Sequence, residues 1–169
     1  ESTPLVTNLA FLLMGVAFLL LETKSVIQFS LLFGTTWLNS SLVFLGVLLL
    51  VLAANWLARG LRREALAVIA GLLVVSSLIP LAYPLGNLLG VQSVLLRFVV
   101  AALLTFAPIF FANLLFSLSL RDQAVPEHVF GWNLVGATLG GVLEYTSMQF
   151  GYGMLAAIVA TIYAAAAWL

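Results

Sequence analysis

The stretch NLVGATLGGVLEYTS (133–147) places Asn133, Gly136, Gly140, Glu144 and Ser147 at successive spacings of 3, 4, 4 and 3. Those steps hold all five residues on one stripe of an α-helix. Gly136 and Gly140 form a small-xxx-small pair, and Gly141 widens the groove beside them, so a second helix backbone can approach closely. Glu144 lies one turn further along the same interface. GATLGG is no phosphate loop, because no strand precedes it and it sits in the middle of an apolar helix.

The first apolar run carries a comparable stripe. Asn8, Gly15 and Glu22 follow one another at intervals of seven, with Ser25 on the same side. Two helices, each with a carboxylate on a small-residue face, are therefore candidates to pack inside a bundle. The residues alone leave open whether they touch each other.

Composition names the solvent. Of 169 residues, 64% are hydrophobic and 7% charged, where a soluble domain carries about 25% charged residues. Six basic and six acidic side chains are too few to cover a water-facing surface of this size. The expected class is all-α: a multi-pass integral membrane bundle in contact with the lipid bilayer, placed in a bacterial inner membrane. A net charge of zero offers no nucleic-acid footprint. With no cysteine and one histidine, His128, thiolate and multi-histidine metal sites are not expected, and no cofactor is. ESTPLV lacks an initiator Met and a basic region before the first apolar run. The numbering is therefore expected to begin inside a longer chain or after processing.

A crossing helix needs about 20 apolar residues, since lipid satisfies no backbone amide. Breaks at 34–41, 59–64, 83–93, 121–128 and 150–153 leave six segments in one domain: about 5–33, 38–58, 65–83, 93–119, 127–149 and 153–169. Arg59, Arg62 and Arg63 follow the second segment and Arg121 follows the fourth, which puts both loops and both termini on the cytoplasmic side. Arg97 is the exception and is expected to snorkel toward headgroups. Trp37, Trp56, Trp132 and Trp168 fall near segment ends, as interfacial aromatics do. Pro108 predicts a kink in the fourth segment.

An acid at membrane depth costs from about 2.5 kcal/mol to well over 10, so Glu22 and Glu144 are the leading functional candidates. The bland reading of each is a carboxyl near a helix end or hydrogen-bonded to a neighbouring helix. Lys24, two residues from Glu22, does not face it on a helix. It is expected to reach the outer interface or a carboxylate on another helix. Asn133 completes the polar candidates, and Gly15, Gly136, Gly140 and Gly141 the packing ones. His128 reads as a solvated loop residue or a pH-sensitive relay. No catalytic set is expected.

The runs GVAFLLLETKSVIQFSLLFGTTWLNSSLVFLGVLLLVLAANWLA (15–58) and FGWNLVGATLGGVLEYTSMQFGYGML (130–155) resemble two helix pairs of bacterial spermidine-synthase-like membrane proteins. That membrane region is itself similar to a six-helix half of a major facilitator transporter. The resemblance implies a soluble aminopropyltransferase-type domain on full-length relatives, which these 169 residues do not supply. Two roles follow. One is a non-catalytic membrane module, as part of such a protein or as an accessory subunit beside other membrane subunits. The other is a half-transporter for a small solute or cation, polyamines included, which acts as a homodimer through its intramembrane carboxylates.

Overall fold

The computed structural model describes residues 4–169, without the side chains of Phe150 and Tyr152. Glu1, Ser2 and Thr3, and with them the reading of how the chain begins, lie outside the described residues. Among the described residues every regular element is helical. Pro4 sits in the first turn of helix α1 (Pro4–Phe33), where a missing N–H costs nothing. No interruption follows, so the first segment, expected over about 5–33, is one helix.

Gly34 ends α1 at φ +93°, a conformation that only glycine adopts freely. Its N–H closes on the Ser30 carbonyl at 2.9 Å. Thr36 then caps α2 (Trp37–Ala58) by accepting from the Asn39 N–H at 3.2 Å. The Asn39 side chain donates back to the Gly34 carbonyl at 3.0 Å and ties the two helix ends together. Next come α3 (Ala65–Ala82), a 3-10 turn at Leu85–Gly90, and α4 (Val94–Arg121), capped by Ser93 and continuous through Pro108. Helix α5 (Pro126–Leu143) begins on a proline.

The fifth segment differs from its expected single helix over 127–149. Helix α5 stops at Leu143, Glu144–Thr146 form a 3-10 turn, and α6 (Ser147–Phe150) continues to Gly151 at φ +80°. The Thr146 hydroxyl donates to the Leu143 carbonyl at 2.6 Å, a local bond that competes with regular helix. Helix α7 (Tyr152–Trp168) closes the chain.

Four helices, α1 to α4, are long and apolar enough to cross a membrane, and a shorter apolar helix spans Gly153–Trp168. The chain is an all-helical membrane protein. Its large exposed side chains include leucines, valines and phenylalanines on the outer faces of α2, α3, α4 and α5, which lipid can solvate and water cannot.

Helix α1 is the axis of the bundle. It packs on α5, α7, α4 and α2. Its contact with α5 is backbone on backbone. A Cβ placed on Gly15 would strike the Asn133 carbonyl oxygen, and one on Gly136 would strike that of Leu12. At Gly140 it would lie 2.7 Å from the Val16 carbonyl oxygen. The pairs 12 with 136, 16 with 140 and 23 with 144 rise together, so α1 and α5 run parallel. The two stripes do meet.

Helices α2 and α4 are parallel by the same test. Gly46 faces the Phe106 ring, Asn55 meets Ser117, and the Arg121 guanidinium donates to the Ala58 carbonyl at 2.9 Å. Arg121 also reaches the Leu61 carbonyl at 3.0 Å, and Asp122 lies 3.9 Å from Arg63. The two arginine-bearing loops thus share one end of the bundle. A shallow pocket there collects Thr7 and Ala10 of α1, Arg63, Asp122, and Ala166 and Leu169 of the chain end.

Each glycine costs an α-helix roughly 1 kcal/mol relative to alanine, an expense recovered by the close approach it permits. The interface therefore predicts opposite outcomes for two glycines of the same helix, Gly136 and Gly141. Gly136→Ala must move backbone and should lower stability in detergent by roughly 1–3 kcal/mol. Gly141→Ala meets only the tip of Leu19, at 3.2 Å, and should be neutral or stabilising. Thermal unfolding of the two variants side by side checks this.

Candidate functional site

A cleft of about 520 Å³ lies between α1, α2, α4 and α5, with Tyr163 of α7 also on its wall. Its apolar walls include Met14, Phe18, Phe116 and Phe130, and its polar groups are Glu22, Asn55, Asn113, Ser117, Asn133 and Tyr163. Helices α2 and α5 flank it without forming a packed pair. Counting 1.5 Å per residue, Glu22 lies about one turn beyond the middle of α1. Asn55, Asn113, Ser117 and Asn133 lie in the halves of their helices nearer the arginine end.

Backbone carbonyls fix the way two of the amides point. Asn113 donates its Nδ2 to the Ile109 carbonyl at 2.8 Å, and Asn133 donates its Nδ2 to the Phe11 carbonyl at 3.1 Å. A carbonyl can only accept, so in both amides the Oδ1 is the end left free. The Ser117 hydroxyl serves the Asn113 carbonyl at 2.8 Å and Asn55 Oδ1 at 2.5 Å, which joins α2 to α4. The Glu22 carboxylate has no hydrogen bond or ion pair among the described residues. Glu22, Asn113 and Asn133 therefore offer the cleft acceptors.

Glu144 has another setting. It begins the 3-10 turn, and Oε2 accepts from the Thr23 hydroxyl at 3.3 Å across the α1–α5 contact. This is the bland reading of that acid, a carboxyl bonded to its neighbour helix. Glu144 and Glu22 nevertheless border one smaller cavity of about 370 Å³, with Thr23, Leu19 and Phe44. Glu22 faces both spaces.

Lys24 departs from expectation. Instead of reaching the interface it is 3% exposed, and it forms no ion pair or hydrogen bond among the described residues. The reason is topological: α1 is packed by four other helices, so a lysine in its second half meets protein before it meets water. Glu22 and Lys24 do not pair, as their two-residue spacing requires. Arg97, in the first turn of α4, is half-buried, and its Nε has no hydrogen-bond partner among the described residues. His128 is exposed in the first turn of α5. Among the described residues no group of three His, Cys, Asp or Glu could hold a metal.

Sequence reasoning picked out Asn133 and Glu22 but passed over Asn55, Asn113 and Ser117. The signal was present. Asn113 and Ser117 stand four apart in a mostly apolar helix, and the rule that drew notice to Glu22 extends, at lower cost, to neutral polar residues within apolar spans. Comparison with protein-family models, with curated proteins and with solved structures gave no match.

A buried amine with no partner lowers stability, so Lys24→Met, which keeps the side chain's reach, should stabilise the protein by roughly 1–3 kcal/mol. A loss of stability on thermal unfolding would mean that the amine has a partner.

Proposed function

We propose that the chain is a non-catalytic, six-crossing membrane module with both ends on the cytoplasmic side. It serves as the membrane part of a larger spermidine-synthase-like protein or as a subunit within a membrane complex. The observation that carries this reading is the burial of α1 by the rest of the chain around a glycine-lined parallel contact with α5. That arrangement makes a self-contained bundle joined by short loops.

Parity supports six crossings. Helices α1 and α5 are parallel, as are α2 and α4, the pairing expected when odd segments run one way and even segments the other. Thr7 and Leu169 gather with Arg63 and Asp122 at one end, consistent with termini on the side that retains arginine. Trp37, Trp56 and Trp168 are widely exposed at helix ends, where headgroups favour them. One observation favours the second reading, a half-transporter that pairs to act: Glu22 faces a cleft at membrane depth.

The absence of cysteine gives a clean background for labelling. Single cysteines at Thr35, Gln92 and Gln149 should react with a membrane-impermeant maleimide from outside. Cysteines at Gly60 and Gln123 should react only in inverted vesicles. Labelling of Gln149→Cys from the cytoplasmic side would overturn the fifth crossing, and labelling of Gly60→Cys from outside would overturn the orientation.

A further inference from the structure

We propose that the cleft between α1, α2, α4 and α5 binds a small organic cation, an ammonium group on an apolar body, with Glu22 as its counter-ion. The inference rests on the membrane reading only in that it places the cleft at membrane depth.

Glu22, the one charged residue among the described residues that line the cleft, sets the sign of the ligand; Asn55, whose Oδ1 meets Ser117, leaves an N–H₂ donor nearer the arginine end. Glu22 contributes a carboxylate with no partner among the described residues, and Asn113 and Asn133 contribute amide oxygens whose N–H₂ ends are spent on the Ile109 and Phe11 carbonyls. An ammonium group brings donors and a charge to Glu22 at the far end of the cleft, while the two amide oxygens lie nearer the arginine end, within reach of the rest of a ligand rather than of the same nitrogen. A carboxylate or phosphate ligand would meet Glu22 as a like charge. A neutral alcohol would leave it uncompensated where water is scarce.

The dimensions set the class. A metal ion stripped of water needs six or more oxygens at about 2.0–2.6 Å, whereas these three acceptors come from three helices around about 520 Å³. That volume falls in the range of organic ligand sites, roughly 300–1,000 Å³. The remaining wall is apolar and aromatic, with Phe18, Phe116 and Met14, and such rings suit both an apolar body and the face of a cation.

The surroundings leave the position to a ligand. Lys24 is the nearest cation in sequence, but it projects from another side of α1 and forms no pair with Glu22. Arg121, one residue beyond the cleft wall at Leu120, spends its guanidinium on the carbonyls of Ala58 and Leu61 and on Asp122. Leu120 and Phe130 line the cleft toward the arginine end, and Glu22 lies toward the other end.

The test uses the full chain in lipid nanodiscs, with phenethylammonium as probe and neutral 2-phenylethanol as its counterpart, read by calorimetry. Phenethylammonium should bind at least about tenfold more tightly than the alcohol, the worth of one charge-assisted contact. Glu22→Gln should lose that preference, and Glu64→Gln, which removes an exposed acid at the arginine end, should keep it. Equal binding of the two probes, no binding of the cation, or an unchanged preference in Glu22→Gln would overturn the proposal.

Should Glu22→Gln fail to fold, the native protein gives the same decision. A hydrophobic carbodiimide should modify Glu22, as read by peptide mass, and phenethylammonium should protect it while the alcohol does not. Protection by neither, or by both alike, would overturn the site. Cysteine labelling decides the crossings separately, so a wrong topology and an absent site give different results.

Discussion

The contact between the glycine faces of α1 and α5 is the constraint on which the other packing depends. Gly15, Gly136 and Gly140 bring the carbonyls of one helix against the α-carbons of the other, an approach that any side chain would prevent. In lipid, hydrophobic burial adds little to helix association, so close packing and interhelical hydrogen bonds must supply it. Both are present on this one face. The Asn133 amide bonds the Phe11 carbonyl near one end, and Thr23 bonds Glu144 near the other.

With α5 held so near, α1 becomes an axis that α2, α4 and α7 surround, and the polar side chains along it acquire different environments by their angle alone. Ser25 is fully buried and returns its hydroxyl to the Leu21 carbonyl at 2.8 Å. Lys24 is enclosed by protein. Glu22, one turn from the glycine contact, faces the gap that opens where α2 and α5 diverge. One helix therefore carries a structural serine, an enclosed lysine and an accessible acid within four residues.

The helices were legible because lipid forces a simple rule: every backbone amide must be satisfied within its own segment, so apolar runs and their breaks mark the elements. The bounds of α2, α3 and α7 differ from the sequence reading by a residue or so at each end. The stripe at 133–147 was legible for a related reason, since glycines at helical spacing have few uses beyond close approach. Two things were not legible. The end of α5 at Leu143 depends on a local hydroxyl bond at Thr146 rather than on glycine or proline. The enclosure of Lys24 and the assembly of the cleft depend on which faces of four helices meet, and periodicity gives a face without its partner. Asn55 and Ser117, 62 residues apart, become one feature only in three dimensions.

The parallel pairing of α1 with α5 within one chain is tested most directly by crosslinking in native membranes. Leu19→Cys combined with Gly141→Cys sets two sulfurs at the glycine face, where Leu19 lies 3.2 Å from a Cβ at position 141. Mild oxidation should give an intrachain disulfide in the monomer band, and Leu19→Cys with Thr138→Cys, which faces away, should give none. A crosslink that joins two chains, or none at the glycine face, would contradict the pairing.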